Sequence, residues 1–315
     1  MFARPALASM TAALVCLAMP AHAQKPGGAF RLDPAGDLSA MLDCHEAAGQ
    51  TLISAHRGGP SPGLPENAIP TMDAVLTAIP AIMEVDVAQS RDGVHFLLHD
   101  DRLDRTTTGT GLAAAQDWAA IRALKLRDSA GWVTPYTVPT LEEALRWAKD
   151  KTVLQLDFKR SASFEEVIAL VRAEGMAHSV VLIAYTAAQA KALHALAPEM
   201  LISYSIDAPG DLAAIVAQGV PADRILAFTG TQIVRPDLYA QLEQADVEVI
   251  FGTLGRPDRS LDGIFARFGT DERYAELGEG GVDIIGTDRP REAAAALAAA
   301  DRLPEVGQCG ISRAP

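Results

Sequence analysis

The chain has 315 residues, of which 49% are hydrophobic, 5% aromatic and 21% charged, and its net charge is −13. That composition excludes disordered and fibrous classes and suits one large globular core or two average ones. A surface this acidic repels nucleic acid and anionic membranes, so neither a nucleic-acid partner nor a stable membrane anchor is expected; an anionic substrate requires a metal and local Arg and Lys to reverse the field inside a cleft.

Residues 1–23 read as a secretory signal peptide. Arg4 supplies the positive start, Ala6 to Met19 the apolar run, and Ala21-His22-Ala23 a small-residue cleavage site before Gln24. Cys16 follows Val15 rather than the small residue that a lipoprotein signal uses. Loss of Arg4 with the signal takes the charge from −13 to −14, and loss of Cys16 leaves Cys44 and Cys309 of the three cysteines. In a secreted or periplasmic protein such a pair reads as a disulfide. It would tie the start of the domain to its tail, and the entropic account allows roughly 5 kcal/mol at most for so long a loop.

Beyond a short extension at 24–49, apolar runs recur at 52–55, 81–87, 94–98, 153–158, 180–185, 201–206, 225–228, 247–251 and 282–285, before a tail at 304–315. Alanine-rich amphipathic stretches separate most of them, for example 140–149, 163–174, 187–196 and 209–218. Continuous apolar strands alternating with helices predict a parallel sheet covered on both faces. The second and third runs are too close for a parallel crossover, so they should form an antiparallel hairpin turning at Ser90-Arg91-Asp92-Gly93. That leaves eight parallel strands over residues 50–303, an α/β (β/α)₈ TIM barrel. The hairpin and an inserted segment, about 100–139, follow its second strand. Centring the turn sets Glu84 opposite His99, Asp86 opposite Leu97 and Ala88 opposite His95. The first two acids and His99 would then share a face, with His95 solvated further out.

Chemistry concentrates in the first third. Ser54-Ala55-His56-Arg57-Gly58 is followed by Pro65-Glu66-Asn67, Glu84-Val85-Asp86 and His99-Asp100, then by Leu103-Asp104-Arg105-Thr106-Thr107. Two histidines can serve as acid and base, alternating carboxylates can hold a divalent cation, and an arginine can grip an anion. Phosphodiester cleavage needs that combination. Asp157 and Lys159 end the next parallel strand, and their i, i+2 spacing aims both at the same rim. Barrel active sites lie at this C-terminal end of the strands. Glu66 and Asn67 either reach a metal or brace its ligands from behind.

Together with Val138-Pro139-Thr140-Leu141-Glu142-Glu143 and Gly281-Val282-Asp283-Ile284-Ile285-Gly286-Thr287-Asp288-Arg289-Pro290, these blocks resemble the glycerophosphodiester phosphodiesterase family over about residues 50 to 292. The resemblance implies metal-dependent hydrolysis of a glycerophosphodiester to glycerol 3-phosphate and an alcohol. By position, His56 and His99 would be the acid–base pair and Arg57 and Lys159 would hold the phosphate. Glu84, Asp86 and Asp157 would bind Ca²⁺ or Mg²⁺, for which carboxylate oxygens are suited. The chain departs from the family at Asp157, where a glutamate is usual. It departs again at Ile250-Phe251-Gly252-Thr253-Leu254, where a Trp-Thr pair usually lines the glycerol pocket and Phe251 would stand in part for the indole. Two other readings compete with this one. A phospholipase D-like or lysophospholipase D-like hydrolase would need an apolar rim built from Trp118, Trp132 and Tyr136. An inactive phosphodiester- or metal-binding protein would need neither histidine.

Overall fold

The computed structural model describes Met1 and residues 28–315, so the predicted signal peptide after Met1 lies outside the described residues. Eight parallel strands close into a barrel: β2 (Leu52–Ala55), β3 (Ile82–Gln89), β7 (Leu154–Phe158), β8 (Val180–Ala184), β9 (Leu201–Ser205), β10 (Ile225–Phe228), β11 (Val249–Gly252) and β12 (Ile284–Thr287). β12 pairs back onto β2, and β2 onto β3, completing the circle. The outer layer is formed by α2 (Ile69–Ala78), α4 (Leu141–Ala148), α5 (Phe164–Ala173), α6 (Ala187–Leu196), α7 (Pro209–Val216), α8 (Pro236–Glu243), α9 (Leu261–Phe268), α10 (Arg273–Glu279) and α11 (Pro290–Ala299). The strands are mostly apolar and buried, as a sheet covered on both faces requires, and the polar residues Glu84, Asp86, Gln155 and Asp157 are buried with them. Local sequence fixes the helix starts. Thr140 caps α4 in a reciprocal box: its hydroxyl accepts the Glu143 N–H at 3.0 Å and the Glu143 carboxylate accepts the Thr140 N–H at 2.9 Å. Among the described residues no helix is long and apolar enough to cross a membrane.

The predicted hairpin is present as β3 with the antiparallel β4 (His95–Leu97), but its register is one residue off the expected one. Val87 faces Leu97, Ala88 faces Phe96 and Gln89 faces His95. The cause is the turn. Ser90 N–H donates to Val94 O at 3.0 Å, so the loop is the three residues Arg91-Asp92-Gly93, with Gly93 at φ 87°. Three-residue hairpins place glycine in this left-handed position. His99 therefore does not pair with Glu84. It lies beyond the end of β4, and the strand's exit rather than its pleat carries it to the site. His95 is buried rather than solvated, with Nε2 3.7 Å from Glu166.

Residues 100–139 carry α3 (Trp118–Arg122) and a small antiparallel sheet of β5 (Lys125–Arg127) and β6 (Val133–Thr137). The segment has its own apolar cluster, in which Leu103, Ile121, Leu126 and Val138 pack with Phe96 and Leu98 of the hairpin. Trp118 stacks on Phe96 with ring centroids 5.8 Å apart.

At the opposite end of the barrel, β1 (Phe30–Leu32) pairs with β13 (Ile311–Arg313), and α1 (Leu38–Ala47) is joined to the tail by the Cys44–Cys309 disulfide across 265 residues. Acidic groups crowd behind this closure. Glu248, 5% exposed, has its carboxyl pushed up to about 8, by burial first and then by the charges of Asp43 and Asp283. Burial likewise pushes Asp283 up to about 7. A group whose folded-state pKa is raised binds its proton more tightly when folded. Its stabilisation is complete below the unfolded value and is lost as pH rises through the folded one. Glu248→Gln should therefore melt like the parent below pH 4.5 and at higher temperature above pH 8, where each kcal/mol is worth roughly 2–4 °C. Equal melting curves at both pH values would show that Glu248 does not titrate within the fold.

Candidate active site

The segment after β2 turns sharply, and the turn builds one side of the site. Arg57 has φ 52°, a left-handed value that a non-glycine residue adopts only under constraint. The constraint is visible, since its N–H points at Glu84 and donates to Oε2 at 2.7 Å. Gly58 follows at φ 77°, and a Cβ there would lie 2.7 Å from Met72 Cγ. Asn67, at φ 56°, clamps Asp86 from both ends: its amide donates to Asp86 Oδ2 at 2.6 Å and its carbonyl accepts the Asp86 N–H at 2.9 Å. Asn67 thus braces the Asp86 carboxylate.

Strand register assembles the acids. Glu84 and Asp86 alternate along β3 and point the same way, while Asp157 on β7 is the direct partner of Asp86. Among the described residues these three form the acidic group whose ligand atoms all lie within 4.8 Å of one another, and all three are buried. Burial, reinforced by the Asp86 charge, pushes the Glu84 carboxyl up to about 8. Lys159 Nζ sits 2.6 Å from both Asp86 Oδ1 and Asp157 Oδ2. Asp86 is held below the usual carboxylate range, Lys159 and His99 outweighing its burial. Asp157 Oδ1 is buried with no hydrogen-bond partner. An orphaned oxygen beside two more carboxylates is a donor set that fits a hard divalent cation. Glu84, Asp86 and Asp157 would hold it.

Both histidines are oriented by carboxylates. His56 Nδ1 lies 2.6 Å from Asp288 Oδ1, and His99 Nδ1 lies 2.7 Å from Asp100 Oδ1. For His56, burial disfavours the charged ring, but the Asp288 hydrogen bond and the Glu84 charge outweigh it and raise the pKa. Asp288 is lowered in turn, since His56 outweighs its burial. Asp100 is held well below its ordinary range, chiefly by Arg105. With both acids ionised, each ring donates from Nδ1 and leaves Nε2 for a proton in the cavity.

His56, Glu84, Asp86, His99, Asp157 and Lys159 line one cavity of about 210 Å³ at the C-terminal rim of the barrel. Arg57 stands at its edge, Nε 3.9 Å from Asp86 Oδ2. Glu66 is not one of the three clustered carboxylates and bonds Arg57 and Arg105. The far wall is mostly apolar, from Ile183, Phe228, Ile250 and Leu254. Phe251 is not part of it. Its side chain is fully buried, because the period of two along β11 sends Ile250 into the barrel and Phe251 outward. Of the three rim aromatics anticipated for a lipid hydrolase, Trp132 alone is exposed, at 75%, while Trp118 packs on Phe96 and Tyr136 is half-buried.

Three residues escaped the sequence reading. Asp288, in the motif Gly281 to Pro290, orients His56 from 232 positions away, a role that spacing does not reveal. Asp262, buried in α9, accepts from Thr287 Oγ1 at 2.8 Å and from the Asp288 N–H at 2.7 Å, and so fixes Asp288. Tyr185, just past β8, is 57% exposed as a residue yet lines the cavity with its phenol, which desolvation there and the Asp157 charge hold above its usual range. Only the Asp288 position had a sequence signal, its place at the end of the last strand.

A (β/α)₈ barrel rim that gathers three buried carboxylates, two basic side chains and two carboxylate-held imidazoles has the make-up suited to a cation and a phosphate ester. Residues 56–292 match the glycerophosphoryl diester phosphodiesterase family, and the chain belongs to that family. A solved structure of a glycerophosphoryl diester phosphodiesterase from Parabacteroides distasonis superimposes with a TM-score of 0.78 at 28% identity, covering 91% of this chain and 100% of that one. A phosphodiesterase from Oleispira antarctica, solved in complex with the product sn-glycerol-3-phosphate, shares the fold at TM-score 0.60 and 22% identity, over 80% of this chain and 98% of that one. A glycerophosphodiester phosphodiesterase of Bacillus subtilis is 32% identical over 106 residues, 30% of this chain and 35% of its own length. Matches to curated relatives span from 28% to 51% of those proteins.

Proposed function

We propose that the protein is an exported, metal-dependent phosphodiesterase that hydrolyses glycerophosphodiesters to glycerol 3-phosphate and an alcohol, with His56 and His99 as its proton carriers. The observation that carries this reading is the buried acidic group flanked by two carboxylate-held histidines. A bound Ca²⁺ or Mg²⁺ would polarise the phosphoryl oxygens and neutralise charge building on them. Arg57 and Lys159 bind the phosphate's remaining charge. One imidazole removes a proton from the nucleophile while the other gives one to the leaving alcohol, each held by its carboxylate with Nε2 toward the cavity. Ile183, Phe228, Ile250 and Leu254 exclude water from the opposite side, which strengthens each of these electrostatic contacts. Export is supported by the signal-like residues 1–23 and by the Cys44–Cys309 bond, which belongs to an oxidising compartment.

The test is release of glycerol 3-phosphate from glycerophosphocholine and glycerophosphoethanolamine, in EDTA and after Ca²⁺ or Mg²⁺ is restored. Metal-dependent release is expected. Equal release with and without EDTA would remove the cation from the reading, and silence on both substrates would remove the substrate class.

A further inference from the structure

Arg105 belongs to the inserted segment, not to the barrel, yet its guanidinium reaches the catalytic rim and divides itself between two carboxylates. Nη1 and Nη2 donate to Glu66 Oε2 and Oε1 at 2.7 and 2.8 Å. Nε and Nη2 donate to Asp100 Oδ2 and Oδ1 at 2.7 and 2.9 Å. Each of those carboxylates has a second partner in the site. Glu66 accepts Arg57 Nη1, but with both distances at 3.2 Å. Asp100 accepts His99 Nδ1 at 2.7 Å. One side chain thus connects a phosphate-binding arginine to an acid–base histidine.

The backbone beneath Arg105 is fixed. Thr107 is buried, its hydroxyl donates to Leu103 O at 2.7 Å and accepts the Gly109 N–H at 2.9 Å, and the Arg127 N–H donates to Thr106 O at 2.7 Å. A guanidinium on such a base is a preorganised fork, and two bidentate pairs set the plane of each carboxylate as well as its position.

The unequal distances give the arrangement its consequence. Glu66 is committed to Arg105 through two short bonds and holds Arg57 only at long range. If Arg105 were absent, the whole Glu66 charge would fall on Arg57 and compete with the anionic substrate for it. Asp100 would lose the partner that fixes it, and the His99 ring would lose its support.

We propose that Arg105 is a positioning residue. It keeps Glu66 from capturing Arg57, and it holds Asp100 so that the His99 ring faces the scissile bond. The inserted segment is then the carrier of a catalytic brace as well as a wall of the cleft. This rests on the phosphodiesterase reading above, and the parent enzyme's release of glycerol 3-phosphate tests that reading separately.

The experiment uses the full mature chain, glycerophosphoethanolamine as substrate, and Arg105→Ala, Arg105→Lys, Glu66→Gln and the double variant Arg105→Ala/Glu66→Gln. Arg105→Ala should lower kcat by about 10–100-fold, the usual cost of losing a residue that orients a site's own ligands, and should also raise KM. Calcium affinity by calorimetry should match the parent, because Arg105 touches none of the three acidic residues. Millimolar guanidinium, far below denaturing levels, should restore part of kcat in Arg105→Ala and none in the parent. Adding Glu66→Gln to Arg105→Ala should bring KM back toward the parent value by removing the competing carboxylate, while kcat stays low. Arg105→Lys should recover only part of the loss, since an ammonium cannot bridge both acids in plane; it also serves if the alanine variant does not fold. A folded Arg105→Ala enzyme with the parent's kcat and KM would overturn the proposal. So would a KM that Glu66→Gln does not restore.

Discussion

His56→Ala is expected to lower kcat on the order of 10²–10⁴-fold, the range associated with one positioned proton carrier, while Ca²⁺ binding stays close to that of the parent. His99→Ala should do the same. Neither ring belongs to the acidic group of Glu84, Asp86 and Asp157, so metal calorimetry separates the loss of proton transfer from the loss of the cation. Asp288→Asn gives the finer result. The amide can still sit 2.6 Å from Nδ1, but it no longer requires Nδ1 to carry the proton. The ring can then present the wrong nitrogen, and the effect should approach that of removing His56. At the same time the raised His56 pKa should fall, because the Asp288 hydrogen bond and charge that raise it would be gone. The acid limb of the kcat/KM profile should move to lower pH if His56 acts unprotonated, and the alkaline limb if it acts protonated. An undiminished kcat in either histidine variant would sink the acid–base assignment.

The barrel was legible in the sequence because its strands are buried on both faces. Such strands appear as uninterrupted apolar runs, and the amphipathic stretches between them separate cleanly. The hairpin was legible as an element but not in register, since Gly93 allowed a loop of three residues where a symmetrical turn was expected. A slip of one reverses every side chain of a strand, yet the site survived it because His99 lies past the strand's end. Residues two apart along a strand could be placed together from spacing alone, which is why Glu84 with Asp86 and Asp157 with Lys159 were readable. The carboxylate partners of the histidines follow a different logic. Asp288 meets His56 only when the last strand closes onto the first, and Arg105 meets Glu66 only when the insertion folds over the rim. Nothing local marks such contacts. The pairing of β1 with β13 was hidden for the same reason. Phe251 shows the converse limit: a residue matched by position to a substrate wall faced the helices instead.

Asp86→Asn should have the other large effect, and here metal binding and turnover should fall together. Asp86 is 1% exposed and is the residue on which the site's charges converge. It accepts from Asn67 Nδ2 and from Lys159 Nζ, both at 2.6 Å, and Arg57 Nε lies 3.9 Å away. Asparagine keeps the shape and removes the charge. Its own NH₂ must then face either the Asn67 amide or the Lys159 ammonium, so one donor is left against another in a buried place. Breaking a buried pair from one side costs about 3–5 kcal/mol, most of it the stranded partner. Part of that cost should appear as a lower melting temperature, and part as Lys159 turning fully onto Asp157 and blocking the orphaned Oδ1. Loss of a direct carboxylate ligand should weaken Ca²⁺ binding by more than the roughly 10–100-fold typical of an outer partner. Turnover should recover partly at high Ca²⁺, because the cage retains Glu84 and Asp157. That recovery distinguishes a lost ligand from a collapsed site. Parent-like calcium affinity in a folded Asp86→Asn enzyme would mean that the cation sits elsewhere and that Asp86 serves only to hold Lys159.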